Sequence, residues 1–228
     1  MNNQNYPEYG RRDNAFEMQE VNFINKVYGT MTLGLLLTAF VAYYVYKTMP
    51  PETYATVMLP CCLAEVALVL VLSFMIMKLP PIVAFFMFLG YSALNGVTLS
   101  VLLHAYKITS VTNIFLTTAI VFGVMSVYGL VTRRDLTTIG NLALMSLLGI
   151  IIAMLVNFFL RSQMLDTILS ILGVLVFVVL TAYDTQKIKR IHEAGCNHTG
   201  IAIIGALSLY LDFINLFLHL IRLLGKRK

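Results

Sequence analysis

The stretch IAIIGALSLYLDFINLFLHLI, residues 201–221, decides the fold. Its 21 residues suffice to cross a bilayer as a helix, which takes about 20. Working outward, six more runs of similar length and apolarity precede it: Phe23–Tyr46, Met58–Met77, Ile82–Leu103, Ser110–Val131, Ile139–Leu160 and Leu165–Tyr183. Pro50-Pro51, Lys78 with Pro80-Pro81, and Arg133-Arg134-Asp135 break the series. Of 228 residues, 59% are hydrophobic and 12% charged, with a mean hydropathy of +0.82. A soluble domain is about half apolar and a quarter charged. The balance excludes a disordered chain, a coiled coil and an ordinary soluble enzyme. Seven spans consume about 140 residues, leaving no room for a separate soluble domain. The reading is an all-α membrane protein of seven transmembrane helices. Residues 1–22 form a polar tail without the apolar region of a cleaved signal, 23–225 the transmembrane domain, and 226–228 a basic tail.

The short connections make neighbouring helices antiparallel. Lys and Arg near span ends set the orientation. Arg11, Arg12, Lys26, Lys78, Arg133, Arg134, Lys187, Lys189 and Arg190 fall on one side, and Lys47, Lys107 and Arg161 on the other. The N-terminus is therefore expected in the cytoplasm. Seven full spans then send Arg222, Lys226, Arg227 and Lys228 outside, against the rule: either the other spans dominate, or segment seven re-enters and returns its tail to the cytoplasm. The net charge of +5 serves orientation, and no nucleic-acid motif accompanies it. Without Trp, the interfacial belts fall to the 12 Tyr. Cys61 and Cys62 read as buried thiols.

Glu65, Asp184 and Asp212 are acids at bilayer depth, where a carboxylate costs at least a few kcal/mol and marks a functional position by default. Lys187, Lys189, Arg190 and His192 suit a helix C-terminal turn and Gly195 the position just beyond. With span six helical to Ala194, Asp184 lies ten residues inside its end, about 15 Å. Asp212 lies eleven residues beyond Ile201, about 16 Å along the next helix. Equal heights on adjacent antiparallel helices let the two meet. Two carboxyls away from water share one proton over part of the physiological range and titrate as a unit. The alternative is a permanently protonated pair that only pins the helices. Glu65 reads either as a cation-attracting carboxylate at an outer vestibule or as a hydrogen-bond donor between helices.

Asn95, Asn157 and Asn215 read as interhelical amides, with Asn215 also placed to orient Asp212 from the next turn. Gly90 and Gly96, with Ser92 and Ser100, allow close helix approach in span three. His219 reads as packing. His192, Cys196 and His198 are too few for a zinc centre, which takes four ligands. Tyr183-Asp184 matches the first motif of an intramembrane aspartyl protease. The second motif needs small residues where Leu209-Tyr210-Leu211 stands, so the chain is not read as an enzyme.

The stretches ALSLYLDFINLFLHLIRLLG (206–225) and AYDTQKIK (182–189) closely resemble the Bax inhibitor-1 family. GYSALNGVTLS (90–100), LPCCLAEVALVLVLS (59–73) and YGLVTRRDLTTIGNL (128–142) resemble its third span, its second span and its basic loop. The resemblance implies seven helices, the last surrounded by the other six. It implies a pH-sensitive calcium leak across the membrane, with calcium as transported ion; the short tails and loops suggest a bacterial inner membrane, and no cofactor is expected. The family's paired aspartates fall on Asp184 and Asp212, and its helix-two acid on Glu65. Some members carry an arginine near the end of helix two; here FMIMK puts Ile76 near that place and Lys78 as the nearest base. The alternative reading is a regulatory protein that binds a membrane-bound protease through residues 1–22. The lipid bilayer is a partner in either case. Whether the chain is a monomer or an oligomer is left open.

Overall fold

A computed structural model describes residues 6–75, 78–194 and 199–228, with side chains from Glu20 onward except at 51, 55 and 199. Seven helices follow one another: α1 (Tyr6–Thr48), α2 (Tyr54–Met75), α3 (Pro81–Ala105), α4 (Ile108–Val131), α5 (Thr137–Leu160), α6 (Gln163–Glu193) and α7 (Thr199–Leu224). All seven are long and apolar enough to cross a membrane. α1 begins at Tyr6, so the helix of the first span continues back through most of the stretch read as a tail. The expected span ends at Ile76 and Met77, and the helix-stop glycine Gly195, lie outside the described residues.

Proline, left-handed backbone and side-chain caps set the breaks. Pro80 precedes α3 and Pro81 opens it, where a missing N–H costs nothing. α5 ends where Arg161 takes φ 51°, and Asn157 Oδ1 accepts the Ser162 N–H at 3.0 Å. Ser162 in turn caps α6 by accepting the Leu165 N–H. Asn157 therefore holds a turn rather than joining two helices.

α7 is the most enclosed helix and packs against α1, α3, α4 and α6. α2 lies outside on α3, and α5 outside on α6. The ring around α7 is thus four helices with two flanking, narrower than the six expected. Close approach rests on glycines. A Cβ on Gly96 would meet Val41 of α1, and one on Gly34 would meet Phe88 and Ser92 of α3. Gly90 faces open space, so of the two glycines expected to bring span three inward only Gly96 does so.

The two ends of the bundle differ. At one, Lys189 pairs with Glu20 at 3.3 Å, Phe23 stacks on His192 at 4.6 Å, and Arg190 pairs with Asp135 at 2.7 Å. At the other, the segment after α7 crosses the α3–α4 turn. The Lys107 N–H donates to the Lys226 carbonyl and the Lys228 N–H to that of Ala105, both at 3.0 Å. Segment seven is therefore a full crossing, and residues 226–228 lie on the face opposite the Glu20 end of α1. The re-entrant alternative falls away.

Candidate functional site

α6 and α7 run antiparallel with a register that the glycines report. A Cβ on Gly205 would touch the Ile188 side chain at 3.2 Å, and one on Gly173 would enter the His219 ring. Asp184 stands four residues from Ile188, and Asp212 seven from Gly205. Asp212 is consequently about one turn, roughly 5 Å, further from the α6–α7 connection than Asp184. The equal heights expected from residue counts are corrected, because α7 starts two residues earlier than Ile201 and the ends of the two helices are not level.

The offset does not part the carboxyls. Side chains lean toward the N-terminus of their own helix. In this antiparallel pair Asp184 leans toward the depth of Asp212, and Asp212 toward that of Asp184. Asp212 is only 5% exposed, and its Oδ2 has no hydrogen-bond partner. A buried carboxylate oxygen left unpaired is costly, so such positions call for a mechanistic explanation.

The turn that carries Asp184 is held from several sides. The Tyr28 and Thr185 hydroxyls lie 3.1 Å apart, which ties it to α1. A Cβ on Gly129 of α4 would strike the Ala182 carbonyl, and one on Gly140 of α5 the Tyr183 ring. Gln186, 5% exposed, donates to the Arg134 carbonyl at 2.8 Å and accepts the Leu136 N–H at 3.0 Å. Lys189 donates to the Leu130 carbonyl at 3.3 Å. Thr185 and Gln186 went unread in the sequence. A glutamine followed by Lys187 and Lys189 reads as solvated until the α4–α5 loop is known to fold over it.

The other expected members are placed differently. Asn215 Nδ2 donates to the Leu211 carbonyl of its own helix at 2.8 Å, so that amide does not orient Asp212. Asn95 Nδ2 is buried without a partner. Of the three amides read as interhelical, none makes a side-chain bond to another helix among the described residues. Lys78 is exposed at the break after α2, and the base nearest Asp184 in sequence is Lys187, whose Nζ lies 5.8 Å from the Tyr183 ring. His219 packs face to face with Phe177 at 5.7 Å. Cys196 and His198 lie outside the described residues, among which no metal-binding cluster forms. Cys61 is half-buried and Cys62 sits on the outer surface, so the pair of buried thiols is corrected as well.

Glu65 stands apart from the aspartates. α2 begins at Tyr54, which puts Glu65 at mid-helix rather than close to one end. Its Oε1 accepts the Thr98 hydroxyl at 2.8 Å. A separate buried polar layer joins α1, α3 and α7. Tyr91 meets the Tyr210 ring at 5.8 Å, and the Tyr210 hydroxyl lies 2.7 Å from Thr38 Oγ1. Thr38 also donates to the Ser92 carbonyl at 2.8 Å or the Gly34 carbonyl at 2.9 Å. These tyrosines serve the core, not the belts to which the sequence assigned them.

Residues 20–228 match the family described as inhibitor of apoptosis-promoting Bax1. The chain is 46% identical over 215 residues to the inner membrane protein YbhL of Escherichia coli K12, covering 90% of this chain and 92% of the relative. It is 42% identical over 209 residues to a Deinococcus radiodurans protein, covering 90% of each. With a Borreliella burgdorferi protein it shares 41% over 227 residues, covering 93% of this chain and 97% of that one.

Proposed function

We propose, from the premise that this chain belongs to the Bax inhibitor-1 family, that it is a pH-sensitive calcium leak of an inner membrane, gated by Asp184 and Asp212. One observation carries the reading: Asp212 is enclosed on the central helix, with an unpaired oxygen, about one turn from the depth of Asp184 on the neighbouring α6. With one shared proton, the carboxyls attract through a charge-assisted hydrogen bond. Loss of that proton makes them repel, and gain of a second removes the charge. Either change alters the α6–α7 contact, and α7 also touches α1, α3 and α4, so the effect reaches most of the bundle. Calcium takes hard oxygen ligands, which carboxylates and carbonyls supply. Glu65 adds a carboxylate on the opposite side of α3 that attracts the ion.

The test is calcium flux into proteoliposomes from pH 5 to 8. Asp184→Asn and Asp212→Asn are each expected to flatten the pH profile, and the double variant to add little, because groups acting as one unit are not additive. Glu65→Gln is expected to lower flux with the pH midpoint unchanged. Singles that keep the wild-type profile, or effects that simply add, overturn the gate. Absence of flux at every pH overturns the leak and leaves the regulatory reading.

A further inference from the structure

α1 and α4 do not pack on each other toward the end where residues 226–228 lie. Between them is a cleft of about 240 Å³ whose floor is α3 and α7. Leu35, Ala42, Leu102, Val111, Phe115 and Phe217 are among its walls. Its hydroxyls belong to Thr38 and Thr112, both spent inside the protein, and to Tyr43 at the lip. Thr38 bonds to Tyr210 and to backbone carbonyls, and Thr112 donates to the Ile108 carbonyl. Inside the lip, where Tyr43 carries the remaining hydroxyl, the cleft therefore offers hydrocarbon contact and nothing to a polar ligand. Tyr43 and Ile108 at its lips are 53% and 40% exposed, so it opens sideways into the bilayer.

The mouth is basic, and two of its lysines have side-chain contacts. Lys228 Nζ donates to the carbonyl of the cleft residue Leu103 at 2.6 Å and sits 5.0 Å over the Tyr46 ring. Lys47 Nζ lies 5.8 Å from the rings of Tyr43 and Tyr46. Lys107 immediately precedes α4; its backbone N–H is bonded to the Lys226 carbonyl and its side chain is exposed. Arg161, Arg222, Lys226 and Arg227 share this face, against Glu52 and Asp166. All ion pairs among the described residues form at the opposite end, so these lysines have no carboxylate partner.

We propose that the α1–α4 cleft takes an acyl chain of an anionic glycerophospholipid whose phosphate is met by Lys47, Lys107 and Lys228. Charge complementarity commits the site to an anionic headgroup, and the unbroken apolar wall commits it to a lipid rather than a free phosphate. A zwitterionic lipid fills the cleft equally well but gains less at the mouth, where each lysine is worth up to about fivefold in binding.

The chain has no Trp, so one introduced Trp reports alone. Tyr43→Trp keeps an aromatic ring at the lip. Leu148→Trp, on lipid-facing α5, is the control. Each is placed in phosphatidylcholine vesicles containing brominated phosphatidylglycerol or brominated phosphatidylcholine, and quenching is read against mole fraction. Brominated phosphatidylglycerol is expected to quench Tyr43→Trp at a mole fraction lower by on the order of tenfold, and to show no advantage at Leu148→Trp. Adding Lys47→Gln, Lys107→Gln and Lys228→Gln, all solvent-facing changes, is expected to abolish the advantage. Equal quenching by both lipids at Tyr43→Trp overturns the proposal. So does the same preference at the control, or a preference that survives loss of the three lysines. Quenching of the control alone means protein covers the cleft, and overturns it too.

Discussion

Gly129→Ala and Gly123→Ala add the same methyl group six residues apart on α4, with opposite expected results. A Cβ at Gly123 meets nothing within 4 Å. One at Gly129 strikes the Ala182 carbonyl, with the carbonyl carbon at 3.1 Å and Thr185 Cβ at 3.0 Å. Carbon atoms pack best at about 3.5–4.0 Å, so α4 and α6 must separate by roughly 0.5–1 Å. Backbone and a Cβ cannot swing aside as a side-chain tip would. Overpacking of this kind costs about 1–3 kcal/mol, whereas replacing a mid-helix glycine by alanine otherwise returns about 0.5–1 kcal/mol. Gly123→Ala should then be neutral or slightly stabilising, and Gly129→Ala destabilising by about 1–2 kcal/mol. For a chain of this size the two variants should differ by roughly 4–8 °C in melting temperature. Thermal unfolding in detergent measures the gap, with Gly149→Ala, also in open space, as a second control. The contact sits on the turn of Asp184, so Gly129→Ala should also alter the pH profile of flux while Gly123→Ala leaves it alone. Equal melting temperatures, or a more stable Gly129→Ala, would refute the idea that α4 bears directly on that turn.

Three further outcomes are expected. In a double-mutant cycle, Thr38→Val and Tyr210→Phe should couple by about 0.6 to 1.7 kcal/mol, the range of buried membrane hydrogen bonds; strict additivity would contradict the 2.7 Å bond. The Asp135 carboxyl is held down to about 2 by the Thr137 hydroxyl first, then the Thr137 N–H and Arg190. Because the folded value lies below the ordinary one, its contribution is complete above about pH 4 and is lost as pH falls through about 2. The stability gap between wild type and Asp135→Asn should therefore be constant above pH 4 and close toward pH 2, as read by chemical denaturation. Finally, single cysteines at positions 133 and 228, on a cysteine-free background, should react with an impermeant thiol reagent from opposite sides of sealed vesicles; labelling from one side contradicts the odd number of crossings.

The spans were legible because hydrocarbon thickness sets one length and the punctuation is explicit: Pro81 opens α3, and Arg161 closes α5. Asp184 was placed within the span by a helix signal, the basic last turn of α6, that hydropathy alone would have overruled. The equal heights of the aspartates failed because counting residues from helix ends assumes level ends. Only the Gly205–Ile188 contact supplies the true register. The amides failed for a different reason. Asn157 and Asn215 satisfy themselves locally, one at a turn and one on its own helix, and apolar surroundings cannot distinguish that from bonding across helices. Gln186 was missed because its partners are backbone groups of a loop fifty residues earlier, and no local pattern announces them.

The helix at the centre of this bundle follows the other six in the chain. During synthesis α1, α3, α4 and α6 must therefore be threaded into the bilayer before the element that joins them exists. In that interval their inward faces, including Thr38, Ser92 and Gly129, have only lipid or one another for company. Closure comes when α7 arrives and residues 226–228 clasp the α3–α4 turn. Chains interrupted before α7 would carry α1 packed on α3 and α4 on α6, with little to join the two pairs.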